Sequence, residues 1–496
     1  MVRQSRKMFV ANASGYKNVE NLIKFLVLSV PMVMTLQEEI DEDGLEVIPQ
    51  VFEVRQVKAE EKLLVIEGGH SLRLRKASML ADNLLLRDVT EEGVHERYVN
   101  GTDYEAHLYE DESNKASLIM EPQTRGDYHI TGLLNDTHRI EPLATTERSG
   151  RTVHKISKIV SDGATCDGVG AGGSRLYEEE LPEIEARDVP SNFTIEVYLM
   201  TDFKHTKFFG NRQRQRIMYA TALMHSVSLR MRQLEPPGNI ILTAIEASFT
   251  TNEPYVSLWK KDLLGLETLK KLQQYMVTKP SMVKSDLVYL LSGLDMIKLV
   301  NGTKSSEVAG LAFKGQACRN LKVAVGEDKP GLFTGVQYAA HEIAHLLGSD
   351  HDGYTTSKNC SASDGYLMSL QAGGSRSFMF SSCSKHAIKT FLKLSGSACL
   401  LKNTNPNTQI ANLPDKAVKL PGDITNGTQY CKKYFPTYPK ASYAERESDL
   451  LHCKWRCRLK SEGGLSYYAL TDALDGTPCN KSNSRMKCKD SICIES

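Results

Sequence analysis

Residues 193–200 alternate, with Phe193, Ile195, Val197 and Leu199 on one side and Thr194, Glu196 and Tyr198 on the other, which predicts a strand. Ala220, Met224, Val227, Met231 and Leu234 then recur at helical spacing, and Pro236-Pro237-Gly238 ends that helix. Two strand-length apolar segments follow, at 240–245 and 287–291. Strands alternating with helices predict an α/β domain with a twisted, mostly parallel sheet covered by helices. A second apolar stripe, formed by Val336, Ala340, Ile343, Ala344 and Leu347, predicts another helix. Thr334 and Gln337 read as its capping box, and Gly348 stands where a left-handed residue ends it.

The flanks have a different character. Residues 25–34 are apolar over signal-peptide length, with Lys17 and Lys24 before them and an acidic run after. Residues 37–187 are charged and mixed, with strand-like pieces such as 62–67 and a glycine-rich loop at 163–173. Residues 403–421 carry Asn and Pro without periodicity, as a linker does. The expected organisation is a leader at 1–36, an upstream domain at 37–187, an α/β domain at 188–402, a linker at 403–430 and a cysteine-rich module at 431–496. No apolar run approaches the ~20 residues of a spanning helix, so no membrane anchor is expected.

The chain of 496 residues suggests about three domains. Its formal net charge of +1 argues against binding nucleic acid through bulk charge. Eleven cysteines, six of them after residue 430 and none in a C-x-x-C pair, favour disulfides over a zinc framework. Eight Asn-x-Ser/Thr triplets, starting at Asn12, Asn100, Asn135, Asn192, Asn301, Asn359, Asn426 and Asn480, agree with secretion and glycosylation. Four cysteines in the α/β domain allow three pairings and the last six allow fifteen; spacing does not choose among them.

The chemistry concentrates in residues 341–353, HEIAHLLGSDHDG. On a helix His341 and His345 lie one turn apart, so both imidazoles reach one tetrahedral Zn²⁺. After the Gly348 turn, His351 returns as a third ligand. Three histidines leave one coordination position open, the pattern of a catalytic rather than a structural zinc site. Glu342 falls beside the metal and is the expected general base.

This motif, followed by GYLMS at 365–369, resembles the metzincin zinc endopeptidases, and Asp352 after the third histidine resembles their reprolysin (adamalysin) branch. Segments 193–200, 285–293 and 310–318 resemble that family in the expected order, and DGTPC at 475–479 resembles the cysteine-rich region of its thrombospondin-repeat relatives. The short architecture is similar to the secreted metalloproteases of tick saliva. The resemblance implies a secreted zinc endopeptidase made as a latent proform, with 37–187 as propeptide and extracellular proteins as substrates. It implies that Met368 is the Met-turn residue beneath the histidines, and that Gly310–Phe313 is the edge strand on which substrate lies. Cys166 resembles the cysteine that blocks the metal in the proform. The pairings Cys318–Cys399 and Cys360–Cys383 are implied in the same way. So is a calcium site at Glu196, Asp286 and the Cys399 carbonyl, although Lys402 stands where an oxygen ligand is usual. The cysteine-rich module is expected to bind substrate or a cell-surface partner. The competing reading is an inactive adhesion relative, and the intact His341, Glu342, His345 and His351 speak against it.

Overall fold

The computed structural model describes residues 44–160, 188–402, 422 and 427–495, apart from 57–58, 67–70, 147–150, 301, 306–307, 371–373, 436–437, 439, 461–465, 475, 484 and 490–491. All of these lie in one compact unit, Ile40–Ser496. The apolar leader, the glycine-rich loop with Cys166 and the linker 403–421 lie outside the described residues. None of the described helices is long and apolar enough to cross a membrane.

The central sheet starts upstream of the expected α/β domain. Strands β1 (Leu80–Thr90) and β2 (Gly93–Val99) form a hairpin within it. β3 (Phe193–Thr201), α1 (Phe203–Phe209), α2 (Gln213–Met231) and β4 (Gly238–Ser248) follow. Then come β5 (Leu287–Ser292), β6 (Gly310–Ala312), β7 (Val323–Glu327), α3 (Gly335–Leu346) and α4 (Ser382–Leu392). The strand order is β6-β7-β5-β3-β4-β1-β2. The five inner strands pair in parallel, and β6 and β2 close the two edges antiparallel.

Every residue of β3 is buried, because a parallel strand with helices on both sides has no solvent face. The alternation read in the sequence therefore separates two buried faces. On one side Ile195, Val197 and Leu199 join the core that also holds α2, α3 and Met368; on the other, Tyr198 and Met200 join a second core with Leu269 and Leu272.

The hairpin pairs across the expected domain boundary. β1 runs in register beside β4, with Leu86 opposite Ile245 and Arg87 opposite Glu246, so the central sheet extends across the 187/188 division. Upstream strands from Leu45–Val47 to Thr152–Lys158 form a separate nine-stranded antiparallel sheet. The C-terminal module is held by Cys431–Cys457, Cys453–Cys488 and Cys479–Cys493 around Tyr430 and Trp455.

The start of α3 corrects the expected capping box. Thr334 makes no side-chain cap, and its hydroxyl instead accepts the Lys329 N–H at 2.8 Å. The cap comes from Asp328, just past β7, whose carboxylate accepts the Gly335 N–H at 2.8 Å. A carboxylate there satisfies an orphan helix N–H and faces the positive end of the helix dipole.

Candidate active site

Helix α3 presents His341, Glu342 and His345 within its last two turns, all buried. Gly348, at φ +93°, turns the chain out of the helix, and its N–H returns to the His345 carbonyl at 2.8 Å. That turn brings back His351. The three Nε2 atoms converge: His341 and His345 are 3.0 Å apart, and each is 3.1 Å from His351.

The outer ring nitrogens fix the tautomers. Nδ1 of His341 donates to the Leu367 carbonyl at 2.8 Å, and Nδ1 of His345 to the Ser349 carbonyl at 2.8 Å. With the proton on Nδ1, a neutral ring turns an Nε2 lone pair inward. Burial, with the other rings, holds the His341 pKa well below its ordinary value and pushes His345 down to about 3. Neutral imidazoles aiming lone pairs at one point about 3 Å from each other form the donor set of a divalent transition metal, so these residues fit zinc.

The surroundings hold this trio in place. Met368 is fully buried in the core, and its neighbour Leu367 supplies the carbonyl that orients His341. The Asp352 N–H donates to the Met368 carbonyl at 2.9 Å, and its carboxylate accepts the Ser381 hydroxyl at 2.6 Å, tying the third histidine's loop to the start of α4. The Tyr354 ring stands edge-on to His351 at 6.3 Å and is 42% exposed, marking the solvent side of the trio. Disulfide Cys360–Cys383 joins this loop to α4, and Cys318–Cys399 joins the segment after β6 to the end of the domain.

Three contacts of this site have no local signal in the sequence. Edge strand β6 lies against the glutamate so closely that a Cβ on Gly310 would sit 2.4 Å from Glu342 Oε1. Asp328, which caps α3, is gripped from the far side by the Tyr219 hydroxyl at 2.7 Å and His205 Nε2 at 3.0 Å. The Gly315 N–H donates to the His345 carbonyl at 2.8 Å, which fixes the chain leaving β6 to the metal helix.

The residues expected to hold calcium have protein partners of their own. Asp286 is beside Glu196, but its carboxylate accepts the Glu196 N–H at 2.8 Å, and the Cys399 carbonyl accepts the Lys402 N–H at 3.0 Å. The buried Lys322 ammonium donates to the carbonyls of Val283 and Ser285 and faces the charge of Asp286. Burial, with the Glu196 charge, pushes Asp286 up to about 7.

Comparison with known proteins agrees with this geometry. Residues 195–404 match a family model described as Reprolysin (M12B) family zinc metalloprotease. The chain thus carries a reprolysin-type metzincin domain and is of the zinc metalloendopeptidase class. It is 26% identical over 365 residues to "Venom metalloproteinase BumaMPs1" of Olivierus martensii, covering 70% of this chain and 88% of that one. It is 24% identical over 403 residues to "Venom metalloproteinase antarease-like TtrivMP_A" of Tityus trivittatus, covering 76% and 97%. A Bombyx mori protein named "A disintegrin and metalloproteinase with thrombospondin motifs like" is 25% identical over 342 residues, covering 63% of this chain and 46% of that protein. The finer likeness to tick salivary enzymes rests on the sequence resemblance alone.

Proposed function

We propose that this protein is a secreted endopeptidase, made as a latent proform, that cuts extracellular proteins with His341, His345 and His351 as zinc ligands and Glu342 as general base. The observation that carries this reading is the convergence of three Nε2 atoms, two of them on rings whose tautomers are fixed by Nδ1 bonds, beside a buried glutamate. Zn²⁺ supplies a Lewis acid for the scissile carbonyl and for a water nucleophile. The Glu342 carboxylate takes the proton of the attacking water and returns it to the departing amine. Gly310, with no side chain, lets the β6 backbone lie flush against that carboxylate. An extended peptide adding to β6 at the sheet edge would therefore bring its scissile bond within reach of Glu342.

Residues upstream of 188 are read as propeptide. Ten of the eleven cysteines pair among themselves, which leaves Cys166, outside the described residues, as the odd thiol and candidate latency residue. Secretion is supported by the five disulfides and by the venom relatives. The sequon asparagines Asn100, Asn192 and Asn359 are exposed and open to glycosylation. The C-terminal module is assigned the role of holding substrate or a surface partner.

The test is Glu342→Gln, which keeps the shape and removes the base. We expect retained zinc and a loss of kcat of on the order of a hundredfold or more, measured on a quenched peptide library. Wild-type turnover in this variant would refute the assignment.

A further inference from the structure

Helix α2 is buried at every position from Arg216 to Met231. A helix without a solvent face must be covered on two sides, and only one side here belongs to residues 188–402, through β4 and α3. The other cover comes from upstream. The Ser117 hydroxyl donates to the Ala222 carbonyl at 3.0 Å, and His225 lies between Ser117 Oγ at 2.9 Å and the Glu110 carboxylate at 2.8 Å. Arg230 pairs with Asp136 at 2.7 Å, Arg232 with Glu110 at 3.0 Å, and Arg216 with Asp88 at 2.9 Å.

The sheet repeats the pattern. Glu246 on β4 is fully buried and meets Arg87 of β1 at 3.1 Å, while the Tyr198 hydroxyl donates to it at 2.8 Å. Backbone N–H groups of Leu242 and Phe249 donate to the carbonyls of Met79 and Val89 at 2.8 and 2.7 Å. Met79, Leu80, Leu84, Leu86, Leu108, Ile119 and Leu133 share one apolar core with β3, α2 and α3. The upstream sheet also reaches the C-terminal module, where Phe52 stacks on Tyr430 at 6.1 Å and Leu63 and Val65 join the Trp455 cluster.

A removable propeptide should leave behind a surface that water can accept. Removing 44–160 would instead strip the carboxylate or guanidinium partners in 44–160 from Arg216, His225, Arg230 and Glu246, each at most 2% exposed, and open a parallel strand edge at β4. Buried charges without partners and unpaired strand edges are both unfavourable enough to hold the two pieces together.

We infer that residues 44–160 remain bound after the chain is cut between 160 and 188, as a second, noncovalent chain of the working enzyme that completes its sheet and covers α2. The inference rests on the proform reading, and latency then depends on the cut itself rather than on departure of the upstream domain.

The test uses the full chain carrying a site-specific protease sequence between 160 and 188, cut to completion and checked by mass. In native buffer at about 1 µM, where a standard-size interface remains closed, the two polypeptides should co-elute by size exclusion and separate only in denaturant. Arg87→Ala, which leaves Glu246 buried without its guanidinium partner, should raise the dissociation rate of the fragment on the order of a hundredfold. Elution of the upstream fragment alone from native buffer overturns the inference, whether or not the remainder stays soluble. An unchanged rate in Arg87→Ala also overturns it, because these pairs would not be what holds the pieces. Peptide cleavage before and after the cut is read separately: equal rates sink the latency reading and leave the association result standing.

Discussion

Glu342 and Gly310 are 32 positions apart in sequence and in contact in space, and the proposed reaction relies on that contact. The carboxylate has no side chain opposite it on β6, so it lies directly against the strand assigned to bind substrate. Gly310→Ala would place a Cβ 2.4 Å from Oε1, 2.8 Å from Cγ and 2.9 Å from Cδ of Glu342, so the substitution requires the glutamate side chain to move. A displacement of about 1 Å in a catalytic group costs on the order of a hundredfold in rate, so we expect kcat to fall by about that factor with zinc content unchanged. Wild-type kcat in Gly310→Ala would show that the carboxylate needs no such clearance. The histidines were legible in sequence because all three fall within eleven residues of one helix and its turn, where spacing translates directly into geometry. The approach of Gly310 to Glu342 and the placement of Lys322 were not, because each is a tertiary contact that no local pattern records. At the expected calcium residues, Lys402 is the cation near in sequence, whereas the one that faces Asp286 is Lys322.

At the scale of elements, periodicity located β3, α2, β4 and β5 well, since strands and helices of a covered parallel sheet are long apolar segments with clear ends. The start of α3 was misread because the S/T-x-x-Q pattern is local and Asp328 outcompetes it from seven residues upstream. Asp328 carries more than a cap. Its carboxylate also accepts from Tyr219 and His205, linking α2 and α1 to the helix that presents the metal ligands. Asp328→Ala strands the Gly335 N–H, the Tyr219 hydroxyl and the His205 ring without an acceptor, at a cost of about 3 kcal/mol or more. We expect the melting temperature to drop by about 5 °C or more, read by calorimetry on the zinc-loaded protein. A shift under about 1 °C would mean that α3 is held by packing alone.

At the scale of the whole molecule, three sequence regions expected to be separate domains share cores and sheets. The 37–187 segment reads as mixed and charged because much of its polarity, including Arg87, Asp88, Glu110 and Asp136, is spent on buried ion pairs with α2 and β4. Composition cannot distinguish such residues from a solvated surface, so the shared sheet was invisible before the fold was known. What this assembly supports is a single rigid seat for three imidazoles. The most direct test is metal content paired with activity on the purified, processed protein. One zinc per chain should be found by mass spectrometry, with His345→Ala losing both the metal and peptide cleavage while remaining folded by circular dichroism. Full peptidase activity in protein shown to hold no stoichiometric zinc would contradict the account.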